Sequence, residues 1–157
     1  MIDSDTFRSV LGRFATSITI ITARDEAGAD HGMTVSAFCS LSLQPPQVLM
    51  CIAHAASMID ILRAHPHIGI NILSSGQEAY SRRFASEDEQ PFDAIAFTRG
   101  EAGVVLFEDA LAHLECRIIK HFDSGDHSII VAEVDRATPK EGRPLLYYRG
   151  GYAVLER

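Results

Sequence analysis

The residues His31 to Ile52, HGMTVSAFCSLSLQPPQVLMCI, constrain the fold more than any other stretch of this 157-residue chain. Met33 to Leu43 mixes β-branched and apolar residues with hydroxyls at Thr34, Ser36, Ser40 and Ser42, and reads as a strand. Pro45-Pro46 ends it, because proline gives no N–H to a ladder and fixes φ. Val48 to Ile52 is short and almost wholly apolar, the pattern of a buried strand. A strand that only fills a core has no need of four hydroxyls beside Gly32 and Ala37. Small hydroxylated residues leave room for a flat group to lie against the backbone, with donors and acceptors aimed at it.

The rest of the chain adds short strands and a few helices. Phe7, Val10, Leu11 and Phe14 recur at i, i+3, i+4 and i+7, one face of a short helix, with Asp3, Ser4 or Asp5 to cap it. Ser17 to Ala23, SITIITA, is a β-branched strand, and Arg24 to Gly32 is a polar turn. Ser57 with Asp60, and Ser75 with Glu78, match the capping-box spacing and open two further helices, the first stopped by Pro66 and the second running through Phe84. His67 to Leu73 is a strand, Glu87 to Pro91 a solvated loop, and Ala94 to Thr98 a short strand. Ala110 to Phe122 alternates, with Ala112, Leu114, Cys116 and Ile118 on one face and His113, Glu115, Arg117 and His121 on the other. Ser128 to Val134 follows the turn FDSGD, and Pro144 to Leu155 holds the last strands around Gly150-Gly151. Six or seven closely spaced strands with three inserted helices and no regular strand–helix alternation make a mainly β, antiparallel Greek-key barrel the better reading.

Composition narrows the function. A chain of this length makes one domain that buries a core without staples. A net charge of −7 argues against nucleic acid, which needs a basic face. No apolar run approaches the ~20 residues of a membrane span, and MIDSDTFRSV lacks the basic and apolar regions of a signal peptide, so a cytoplasmic protein is expected. Cys39, Cys51 and Cys116 are odd in number and widely spaced, as reduced structural thiols are. No metal site is expected: Pro66 separates His65 from His67, and His113 and His121 lie roughly 26 Å apart along an extended strand. Gly-x-Gly-x-x-Gly, P-loop and Gly-x-Ser-x-Gly motifs are all absent from the sequence.

GMTVSAFCSLSLQPPQVLMCI resembles the stretch that marks the short-chain NAD(P)H:flavin oxidoreductases, the reductase components of two-component flavin monooxygenases. Gly125-Asp126-His127, PLLYYRGGY at Pro144 to Tyr152 and GQEAYSRRFAS at Gly76 to Ser86 agree with it. The resemblance implies a split β-barrel of the FMN-binding type that forms a homodimer. It implies FMN or FAD as flavin, NADH or NADPH as hydride donor, and a separate monooxygenase that receives the reduced flavin.

The same resemblance assigns roles. Thr34, Val35, Ser36 and Ala37 would meet the flavin ring, with Ser40 beside them. Cys51 to Ser57 would lie near the flavin tail. Arg83, next to Phe84, would clamp a phosphate. His127 would sit beside the nicotinamide, orienting its carboxamide or stabilising charge on the reduced flavin rather than moving a proton. Tyr148, Arg149 and Tyr152 would wall the nicotinamide pocket, the tyrosines by stacking and Arg149 at a pyrophosphate. His54 departs from the pattern, which more often has asparagine or another small polar residue there. Two other readings stay open: an electron carrier of the same fold that does not use NAD(P)H, and a flavin-free interaction module.

Overall fold

The computed structural model describes residues 1–86 and 91–156. Its helices are α1 (Ser4–Leu11), α2 (Ile59–Ala64) and α3 (Glu78–Phe84). Its strands are β1 (Thr16–Ser17), β2 (Thr19–Arg24), β3 (Asp30–Val35), β4 (Phe38–Leu43), β5 (Pro46–Ala53), β6 (His67–Ile72), β7 (Phe97–Arg99), β8 (Val105–Phe107), β9 (Ala112–Ser124), β10 (His127–Pro139), β11 (Leu145–Tyr148) and β12 (Gly151–Val154). Seven of them form one sheet in the order β3-β2-β6-β9-β10-β5-β4, antiparallel at every step. The two end strands, β3 and β4, are consecutive in the chain and meet through Ser36-Ala37 rather than through a ladder. The fold is therefore mainly β, one large antiparallel sheet with few helices.

Both faces of the sheet are covered. On one, Ile21, Met50, Ile52, Ile68, Ile70, Cys116 and Ile130 pack with Met58, Ile59 and Leu62 of the α2 segment. On the other, Ile18, Ile20, Leu73, Val105, Phe107 and Leu145 pack with Phe84 of α3. Because β2 supplies Ile20 to one face and Ile21 to the other, it is apolar throughout instead of alternating. The third element of the fold is a small sheet of order β1-β11-β12, which brings the C-terminal hairpin beside the start of β2. Its two-residue turn has positive φ at both Arg149 (51°) and Gly150 (79°), as a tight hairpin of matching twist requires.

Several sequence expectations are corrected. The single strand expected from Met33 to Leu43 is two, broken at Ser36-Ala37, and β3 begins inside what reads as the Arg24–Gly32 turn. Ser17 to Ala23 likewise divides at Ile18 into β1 and β2. Neither capping box forms. The α2 helix starts after Met58 with no side-chain cap, since Ile59 N–H already donates to the Ala56 carbonyl at 3.1 Å. At α3 the Gln77 Oε1 accepts from Ser74 N–H at 2.9 Å, so the side chain closes the preceding turn instead. Asp3 does cap α1, accepting from Thr6 N–H at 2.8 Å. The apolar face of α1 is nevertheless open, with Phe7, Val10 and Leu11 about half exposed and Phe14 73% exposed. Glu115, expected on the solvent face of β9, is buried because the loop after β7 folds over it: its carboxylate accepts from Glu101 N–H at 3.0 Å and Ala102 N–H at 2.5 Å. The hairpin partner β8 was not foreseen, and the expected loop at Glu87 to Pro91 lies outside the described residues except for Pro91.

Candidate functional site

The break between β3 and β4 opens a cavity of about 230 Å³ lined by Ile18, Thr34, Ser36, Ser81, Ala85, Tyr147 and Tyr152. Four pieces of chain meet there: the start of β2, the β3–β4 bend, α3 and the C-terminal hairpin. Alternation along β3 aims Thr34 and Ser36 at the cavity and Val35 into the core, where it is 5% exposed. Ser36 and Ala37 belong to neither ladder, and their N–H groups donate to no backbone carbonyl among the described residues. Ser36, with a backbone N–H uncommitted to any carbonyl among the described residues, thus lines a cavity of hydroxyls, apolar side chains and aromatic rings, and Ala37 is its neighbour in the chain. These N–H groups, with the absence of bulk at Ala37, suit a flat heteroaromatic group that has a polar edge.

Side-chain hydrogen bonds hold the wall in place. Thr34 Oγ1 donates to the Ser81 carbonyl at 2.7 Å, and Ser81 Oγ shares a 2.8 Å hydrogen bond with Tyr152 OH. Tyr152 packs edge-on against Tyr147 with ring centres 5.5 Å apart, and the Arg82 guanidinium lies 4.7 Å over its ring. Arg82 is itself paired with Glu78 at 2.7 Å. Ser81, Ile18 and Ala85 were not foreseen, whereas Tyr147 belongs to the C-terminal aromatic cluster that the sequence singles out. The available signal for Ser81 was its spacing of three residues before Phe84, which puts both on the buried face of α3.

His127 opens β10 two residues after Gly125, whose φ of 59° falls in the β9–β10 turn. Its Nδ1 lies 2.7 Å from Asp126 Oδ1. A carboxylate only accepts, so Nδ1 carries the proton and Nε2 faces outward. The imidazole borders a second cavity of about 500 Å³ with Asp126 and residues from Met1 to Arg8. Within one chain this cavity is separate from the one at Thr34.

The remaining expected residues are placed as follows. Ser40 is exposed on the edge strand β4 opposite Val48. Cys51 is half-buried on β5, where burial raises its thiol above the usual value, and its N–H donates to the Ala37 carbonyl at 2.9 Å. Ser57 is exposed ahead of α2. Arg83 donates to the Asp93 carbonyl at 2.6 Å and the Pro91 carbonyl at 3.4 Å, so it secures the segment after α3. Phe84 is buried against Phe92 and Phe107. Tyr148 and Arg149 sit at the exposed hairpin tip, where Arg149 borders a cavity with Arg8, Arg13 and Gly12. Thr34, Ser36 and Tyr152 are therefore brought together, while Ala37, His127, Arg83 and Arg149 do not line that cavity.

Comparison with known proteins places this sheet and its cleft in a family. Residues 11–156 match the family model described as the flavin reductase like domain, and the chain belongs to this family. It is 40% identical over 151 residues to an NADH-dependent flavin reductase of Rhodococcus sp, covering 95% of this chain and 85% of that protein. It is 38% identical over 151 residues to the reductase component of 4-nitrophenol 4-monooxygenase/4-nitrocatechol 2-monooxygenase of Rhodococcus opacus, covering 96% and 80%. Among solved structures, the NADH:FAD oxidoreductase SgcE6 of Streptomyces globisporus C-1027, in complex with NAD and FAD fragments, superposes with a TM-score of 0.92 at 34% identity, covering 99% of this chain and 96% of that one.

Proposed function

We propose that this chain is an NAD(P)H-dependent flavin reductase that passes hydride from the nicotinamide to FMN or FAD and delivers reduced flavin to a separate monooxygenase component. The observation that carries the reading is the cavity at the β3–β4 break, lined by Thr34 and Ser36, with the Ser36 and Ala37 N–H groups committed to no backbone carbonyl among the described residues. Two of the relatives described above are named for NADH, which makes it the donor to test first. Bound flavin would supply the hydride acceptor. The chain's part is to hold the rings in contact and keep water out, because hydride transfer needs alignment more than proton chemistry.

In this reading Thr34, Ser36 and the Ser36 and Ala37 N–H groups hold the polar edge of the ring, and Ile18 and Ala85 pack its apolar part. Tyr152 and Tyr147 stand where an aromatic face is needed. His127, with Nδ1 held by Asp126, offers Nε2 to the nicotinamide side. We further infer that the sheet is a split barrel, that residues 1–157 form one domain, and that two copies pair through the open face of α1. That pairing would supply what one chain lacks, a surface joining the Thr34 cavity to His127.

The test is NADH consumption by the purified protein with and without FMN, FAD or riboflavin. Flavin-dependent turnover that saturates is expected. Protein that binds flavin yet oxidises neither NADH nor NADPH would contradict the reading.

A further inference from the structure

Around the β9–β10 turn, one carboxylate oxygen gathers more partners than a surface aspartate needs. Asp123 Oδ1 accepts from His54 Nε2 at 3.2 Å, from Arg63 Nη2 at 3.3 Å and from Ser128 Oγ. Ser128 lies directly across the ladder from Asp123, so that contact alone closes the hairpin. The other two reach in from different elements, His54 from the turn after β5 and Arg63 from α2. Arg63 Nη2 also donates to Ser128 Oγ at 3.4 Å, and Ser128 is fully buried. His54 grips the turn twice, since its backbone N–H donates to the Asp126 carbonyl at 2.9 Å. Asp126 in turn holds His127.

His127, at the end of this chain of contacts, has no other fixed partner among the described residues. It sits at the β9–β10 turn, where Phe122 to His127 are all exposed. β5 pairs with β10 as far as Ala53 opposite His127, so the three-stranded ladder stops at His127 and the turn before it depends on a further brace. The brace here is polar, and it joins the turn after β5 to the turn that carries His127. The Ser128 hydroxyl, and after it the His54 contact and the Arg63 charge, hold the Asp123 carboxyl below the usual carboxylate range, so the brace carries its full charge at neutral pH.

We propose that Asp123 is a positioning residue for the reductase reaction: with His54 and Arg63 it fixes the turn that presents His127 to the nicotinamide. The proposal rests on the reading of His127 given above. It adds that residues outside the Gly125-Asp126-His127 motif set that histidine's geometry.

The experiment measures steady-state NADH kinetics and flavin affinity for Asp123→Ala, Asp123→Asn, His127→Ala and the double variant Asp123→Ala with His127→Ala. Asp123→Ala is expected to raise the KM for NADH or lower kcat by about three- to thirty-fold, the range of coupling carried by such contacts, with flavin affinity within about two-fold. Asp123→Asn, which keeps an oxygen acceptor, should recover part of the loss and serves if the alanine variant does not fold. On the His127→Ala background the Asp123 change should add nothing. Normal kinetics in both Asp123 variants, or equal Asp123 effects with and without His127, would overturn the proposal while leaving His127 its role. A His127→Ala enzyme with full turnover would overturn the reading of His127 and the proposal with it.

Discussion

The clearest residue-scale chemistry belongs to the three cysteines. Burial pushes the Cys116 thiol up to about 12, helped by the negative charges of Asp135 and Glu115. Burial also raises Cys51, whereas Cys39 is exposed on β4. Only the thiolate reacts, so access and ionisation act in the same direction here. A disulfide reagent should label Cys39 first, Cys51 slowly and Cys116 only on unfolding, read out by peptide mapping over time. Equal labelling of all three in folded protein would contradict this placement. The hydroxyls of Thr34 and Ser36 were legible in the sequence as out of place in a core strand. Ser81 and Tyr152 were harder to connect, because a hydrogen bond between residues 71 positions apart leaves no local pattern. Glu115 was misplaced for a related reason: alternation gives the face of a strand, and a loop from elsewhere decides whether that face sees water.

At the scale of elements, the sheet depends on a few buried polar staples that periodicity cannot show. Asn71 on β6 is fully buried, with Oδ1 accepting from Phe107 N–H at 2.7 Å and Nδ2 donating to the Ile20 carbonyl at 3.3 Å. It ties β8, which has only β7 as a ladder partner, to the main sheet. Asn71→Ala leaves the Phe107 N–H buried without an acceptor and opens a small void, for a cost of about 2–4 kcal/mol. Denaturant unfolding should show that loss, and a change under about 0.5 kcal/mol would mean the staple is dispensable. Strand existence was readable along most of the chain, since β-branched runs and turn residues are local signals. Boundaries were less so. The break at Ser36-Ala37 is imposed by the pairing of β3 with β2 and of β4 with β5, which lie at opposite ends of the sheet order. The capping boxes failed where other turns take over: Ile59 N–H donates to the Ala56 carbonyl ahead of α2, and the Gln77 side chain closes the turn ahead of α3.

For the whole molecule, the main unfulfilled expectation is the apolar face of α1, which repeats with helical period yet stays about half or more exposed. Phe7, Val10, Leu11 and Phe14 next to Ile2 form an apolar patch of the kind that marks an interface. If two copies pair there, sedimentation should give twice the chain mass, and Val10→Glu with Phe14→Glu should shift the protein toward monomer without unfolding it. A wild-type protein that sediments as a monomer at micromolar concentration would exclude the pairing. Family membership, and with it the cleft at Thr34, could be inferred from the four sequence segments taken together. The relation of that cleft to His127 could not, because the two open separately on a single chain.

The central claim is that the cleft at the β3–β4 break holds a flavin which receives hydride from a nicotinamide. The most direct measurement is an anaerobic titration of the protein, mixed with an equal amount of FMN or FAD, by NADH, followed by loss of the flavin absorbance. Full bleaching at one NADH per flavin is expected, far faster than free flavin reacts, with slower bleaching when Thr34→Val and Ser36→Val are combined. Flavin that remains oxidised with excess NADH, or bleaching at the rate of free flavin, would contradict that claim.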